Sequence, residues 1–131
     1  MSRRSEQRRA AVFALYQSEV ADRPLEDSFE RDAASFTRAL AHATDDYREE
    51  FDELIATYAK GWSLDRIAPL EKAILRVALL EMLRPEAVDA EVPIPPEGAI
   101  DEAVETAKEF CGADAPGFVN GILGTILRER L

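Results

Sequence analysis

Four arginines crowd the amino terminus: Arg3, Arg4, Arg8 and Arg9, set against only Glu6 and Glu19 in the first twenty residues. Guanidinium groups bind phosphate oxygens through paired donors and stack on unpaired bases, so this spacing is that of a nucleic-acid-binding arm. A second reading fits the same residues, a solvated end whose arginines only aid solubility. Tyr16 follows two helical turns after Arg8 and Arg9, where it could stack on a base or belong to the core. The rest of the chain points the other way. Of its 16 bases and 26 acids, twelve bases and twenty-four acids lie beyond residue 20, and the net charge is -10. An acidic body repels phosphate, which confines any such binding to the arm.

Catalysis finds little to work with. The one histidine, His42, and the one cysteine, Cys111, belong to no recognisable nucleophile or metal-ligand motif, and phosphate-cradling glycine loops are absent. These residues predict a binding protein without enzymatic activity, cofactor or metal. A single cysteine excludes an intramolecular disulfide, and no apolar run reaches the ~20 residues of a membrane span. A polar amino terminus in place of an apolar leader adds the expectation of a cytoplasmic protein.

The elements that must position these residues read as helices throughout, so the expected class is all-α, with six helices in one bundle-like domain. Val12, Leu15, Tyr16 and Val20 mark a first helix over residues 5–21, broken by Pro24. Phe29, Ala33, Phe36, Leu40 and Ala43 predict a second over 26–43. Phe51, Leu54, Ile55, Tyr58 and Trp62 form the stripe of a third, with Gly61 at its end. From Pro69 to Leu83 the chain is apolar almost all round, as befits the centre of a bundle. Residues 85–98, with four prolines, read as a loop between residues 1–84 and the helical pair of 99–131. In that pair, Asp114 is the expected N-cap of the last helix and Pro116 lies in its first turn. Gly121 and Gly124 inside the last helix suggest the close approach of another backbone.

Glu81 stands out because it falls on an apolar stripe with Leu70, Ile74 and Val77, near a helix end where the macrodipole disfavours an acid. Such a carboxylate calls for a cation. Arg76, an arginine of the first helix, or a second protein could each supply it.

Three blocks, taken in order, give the chain a family likeness. They are the arginine-rich opening that runs into Ala10-Ala-Val-Phe-Ala-Leu-Tyr-Gln17; Trp62-Ser-Leu-Asp-Arg66 followed by Glu71-Lys-Ala-Ile-Leu-Arg-Val-Ala-Leu-Leu-Glu-Met-Leu83; and Ala99-Ile-Asp-Glu-Ala-Val-Glu-Thr-Ala-Lys108 leading to Phe118-Val-Asn-Gly-Ile-Leu123. In this arrangement the chain resembles the NusB family of transcription antitermination factors. The resemblance implies an all-α bundle of about six to seven helices in two packed halves that binds boxA RNA together with the ribosomal protein NusE. The pair joins RNA polymerase, chiefly on ribosomal RNA operons. It also implies roles for single residues: Arg3, Arg4, Arg8, Arg9, Tyr16, Asp114 and Phe118 on the RNA side, Arg76 and Glu81 towards NusE. Some members of the family pair with themselves, so a homodimer stays open. The stretch Asp114-Ala-Pro-Gly117 departs from the family pattern in lacking a serine and a basic residue, and Leu80 replaces a common tyrosine. With so negative a body, NusE is expected to supply much of the positive surface. Two other roles fit the residues: a helical protein-interaction module without RNA binding, or a targeting domain related to those of ribosomal RNA methyltransferases.

Overall fold

The computed structural model describes residues 3–89 and 92–131, and among them it shows six α-helices and no strand. They are α1 (Arg3–Ala21), α2 (Ser35–Asp46), α3 (Arg48–Tyr58), α4 (Pro69–Leu83), α5 (Pro96–Phe110) and α6 (Ala115–Arg130). Among the described residues no helix is long and apolar enough to cross a membrane.

Helix α4 explains the arrangement. Every residue from Ala73 to Met82 is buried, Arg76 and Glu81 included, so the helix needs neighbours on all sides. It packs against α1, α2, α3, α5 and α6. Pro69 starts it, with φ preset and no N–H to leave unpaired, and Pro85 stops it. Leu75, Leu79, Leu80, Phe51, Leu40, Val119, Leu123 and Ile126 are among the side chains sealed in the core. The buried Thr37 hydroxyl donates to the Gln7 carbonyl at 3.0 Å and so ties α2 to α1.

The end of α1 is fixed by Asp22, which takes the left-handed conformation at φ 51°. The Arg23 N–H then donates back to the Ser18 carbonyl at 3.1 Å, closing the helix with the long-range bond of a Schellman turn.

Four expectations are corrected. Residues 26–43 do not form one helix. A short 3-10 turn over Leu25–Ser28 ends in extended backbone at Phe29, and α2 starts only at Ser35. Trp62 lies beyond α3, carried off its stripe by Gly61 at φ 81°. Asp114 does stand at the N-cap position of α6, but it makes no side-chain cap bond there, its own backbone being already helical. Finally, among the described residues Gly121 and Gly124 face no neighbouring backbone within 4 Å of a built side chain. A methyl at Gly121 would meet nothing within 4 Å, and at Gly124 only the side chain of Arg128. Gly121→Ala is therefore expected to stabilise the protein by about 1 kcal/mol through helix propensity alone. Thermal melting checks it, and an unchanged or lowered midpoint would count against an open site.

Candidate nucleic-acid interface

Helix α1 places its arginines on different sides of the helix. Arg3 and Arg4 are exposed. Arg4 donates to Gln7 Oε1 at 2.9 Å and lies over the Phe36 ring at 4.1 Å. One turn on, Arg8 is drawn inward. Its Nε donates to Glu81 Oε1 at 2.8 Å and Oε2 at 3.0 Å, and its Nη1 lies 3.9 Å from Glu102. The Ser5 hydroxyl donates to the same Glu102 carboxylate. Burial pushes the Glu81 carboxyl up; the Arg8 hydrogen bonds and charge pull it back, and the charge of Glu102 adds to the rise. So the cation that Glu81 called for is internal and comes from the first helix.

Arg76 takes a separate course. With 7% of its side chain exposed, it binds Asp52 through Nε and Nη2 at 2.8 and 3.1 Å, and Glu19 through Nη1 at 3.0 Å. Lys72 joins Glu19 at 3.2 Å. Desolvation works against ionisation of Glu19, but the hydrogen bonds and charges of Arg76 and Lys72 outweigh it and hold that carboxyl below the usual range. Arg76 therefore locks α1, α3 and α4 together. A docking protein would meet the carboxylates around it before the guanidinium itself.

Arg9 points along the outer edge. Its Nη1 lies 2.5 Å from Glu109 and its guanidinium 5.8 Å from the centre of the Phe110 ring. Beside it runs a line of aromatic rings. Tyr16 meets Phe13 edge-on at 6.5 Å, and Phe13 meets Phe110 edge-on at 4.9 Å. Tyr16 is half-buried against the core, whereas Phe110 is 44% exposed.

The turn after Phe110 leads into a second area. Trp62, 51% exposed, meets Phe118 edge-on at 6.1 Å over a cleft also lined by Arg66, Glu71 and Asp114. Burial raises the Glu71 carboxyl, and the Cys111 thiol is raised by burial and by the charge of Glu71. Asp114 and Phe118 thus share a cleft, while Arg8 and Glu81 share a salt bridge; Arg76 stands apart from both groups. Among the described residues no cluster of His, Cys, Asp and Glu has the makings of a metal site. What the arrangement offers chemically is aromatic surface flanked by guanidinium groups, a combination suited to unpaired bases and their phosphates.

Residues 5–128 match the NusB family. The chain belongs to that family. It is 45% identical over 102 residues to the transcription antitermination protein NusB of Symbiobacterium thermophilum, an alignment that covers 78% of this chain and 63% of that relative's length. Among solved structures, NusB of T. maritima superposes with a TM-score of 0.82 at 32% identity, over 98% of this chain and 92% of the other. A structure of the antitermination factors NusB and NusE in complex with double-stranded RNA shares the fold, with a TM-score of 0.79 at 24% identity over 98% of both chains.

Within this NusB fold Phe13, Trp62, Glu71, Glu102, Phe110 and Glu109 stand at the site although none of them was expected to serve there. Phe13 carried a signal, since it follows Arg9 by one turn. The partners that α5 gives to Arg8 and Arg9, Glu102 and Glu109, lie roughly a hundred residues away in the chain and carried none.

Proposed function

We propose that this NusB-family chain is a non-catalytic antitermination factor of the cytoplasm that binds boxA RNA together with NusE and joins RNA polymerase, chiefly on ribosomal RNA operons. The observation that carries the reading is the run of Arg9, Phe110, Phe13 and Tyr16 along one side of α1, a cationic and aromatic edge on an otherwise acidic body, with Arg3 and Arg4 exposed at the amino-terminal end of the same helix. Family membership and the antitermination proteins named above support it. Asp114 and Phe118 extend the RNA track into the second cleft. NusE docks alongside, near the α4 region that holds Arg76 and Glu81, and brings positive charge the body lacks.

One observation favours the rival reading, a helical interaction module without RNA binding: Arg8 and Arg9 are both already paired with carboxylates of the same chain. Titration of labelled boxA RNA with and without NusE, at several salt concentrations, separates the two. Selective binding that strengthens with NusE is expected. Arg3→Ala with Arg4→Ala should flatten the plot of log affinity against log salt by roughly 0.7 for each phosphate that the two arginines neutralise. Equal affinity for boxA and scrambled RNA, with or without NusE, would leave the rival standing.

A further inference from the structure

Phe110 closes α5 with nearly half of its surface in solvent, although its place in an amphipathic stripe predicts a core residue. It is not loose. The edge of Phe13 holds one side of the ring at 4.9 Å, and the Arg9 guanidinium stands 5.8 Å from its centre. Arg9 itself is only half satisfied: Nη1 meets Glu109, while the buried Nε has no hydrogen-bond partner among the described residues. A half-exposed aromatic plate and an adjacent cation thus occur at one point, and one donor of that cation is buried there without a partner among the described residues.

An unpaired nucleobase fits that combination in a way duplex bases do not, because its face is free to stack and its own phosphate lies within reach of a neighbouring guanidinium. Resting on the RNA-binding reading above, we propose that Phe110 is a stacking position for one unpaired base of RNA, backed by Phe13, and that Arg9 leaves Glu109 to take the adjacent phosphate. Glu109 then acts as a built-in competitor, an anion that RNA must displace.

The test uses the full chain and a fluorescent single-stranded boxA RNA carrying 2-aminopurine, whose emission is quenched by stacking on an aromatic ring. Phe110→Ala should weaken binding about tenfold and abolish part of the quenching. Phe110→Tyr, which keeps the plate, should stay within about twofold of wild type. Glu109→Gln should tighten binding by about threefold at low salt, since it removes the competitor without touching the plate. Circular dichroism confirms that each variant is folded, and the last two keep the test informative if Phe110→Ala is not. Wild-type affinity and quenching in Phe110→Ala would overturn the stacking position while leaving the broader RNA reading intact. A loss of NusE affinity with RNA affinity unchanged would overturn it too, and assign the plate to a protein partner. No RNA binding by the wild-type chain under any condition would bring down both.

Discussion

Arg76→Ala is expected to destabilise the protein by roughly 3–5 kcal/mol, the usual consequence of removing one partner from a buried ion-pair network. For a chain of this size that lowers the thermal midpoint by something on the order of 15 °C. The cause is local and specific. Asp52 and Glu19 come from different helices and face the same guanidinium, at 2.8 and 3.0 Å. Without it, two carboxylates are left close together where water reaches them poorly, and only Lys72 remains to hold Glu19. Urea melts followed by circular dichroism give the value, and a loss under about 1 kcal/mol would mean the network contributes little to the fold. The pH dependence carries its own sign. The Glu19 carboxyl is held below its ordinary value in the folded state, so its contribution is fully present above that value and fades as pH falls through the lower, folded one. Arg76→Ala should therefore flatten the acid limb of the stability curve.

How far the sequence revealed this molecule can be judged residue by residue. The 3.6-residue period located α1, α5 and α6 because each buries a recurring face, although in α1 that face ends at Leu15 and Val20 is exposed, and α4 was legible as a run apolar almost all round. It misled at residues 26–43, where Phe29 keeps helical spacing with Phe36 yet sits in extended backbone. Phe29 reaches the α2 face by folding back, its ring 5.5 Å from His42 and 5.0 Å from the Arg38 guanidinium. Spacing cannot distinguish a helical residue from a loop residue that packs on the same helix. The charge pairing of Glu81 was half legible. That it needed a cation followed from its apolar stripe. Arg76 could have been set aside, since five residues at 100° each turn it about 140° away from Glu81 on the same helix. Choosing Arg8 required the α1–α4 packing, which a sequence alone does not supply. The site shows the same division. The cations were visible as a cluster, but the sorting of Arg4 to solvent, Arg8 to the interior and Arg9 to an aromatic edge depends on which side of α1 each occupies once α2, α4 and α5 are in place.

That sorting changes what a mutation at Arg8 measures. The Arg8 and Glu81 side chains are 13% and 10% exposed, so Arg8→Ala is expected to cost roughly 3 kcal/mol of stability and not merely one bond to phosphate. Glu81 would be left buried beside Glu102 with no cation. Already in the wild type, burial raises this carboxyl and Arg8 restrains the rise. With Arg8 gone the folded-state value climbs further above the unfolded one. A carboxyl shifted upward destabilises the fold when ionised and is neutral to it when protonated. The deficit of Arg8→Ala relative to wild type should thus be greatest at neutral pH and shrink as pH falls through the raised folded value towards the ordinary one of 4.5. Combining Arg8→Ala with Glu81→Leu removes both charges and should return most of the lost stability, because apolar replacement of a whole buried pair is close to neutral. Stability curves for the single and double variants at several pH values check this, and a deficit that is the same at all pH values would exclude Glu81 as its source. The double variant is also the right protein in which to ask about RNA. If it folds like wild type and still binds boxA with undiminished affinity, Arg8 serves to hold α1 on α4, and the phosphate contacts belong to Arg3, Arg4 and Arg9.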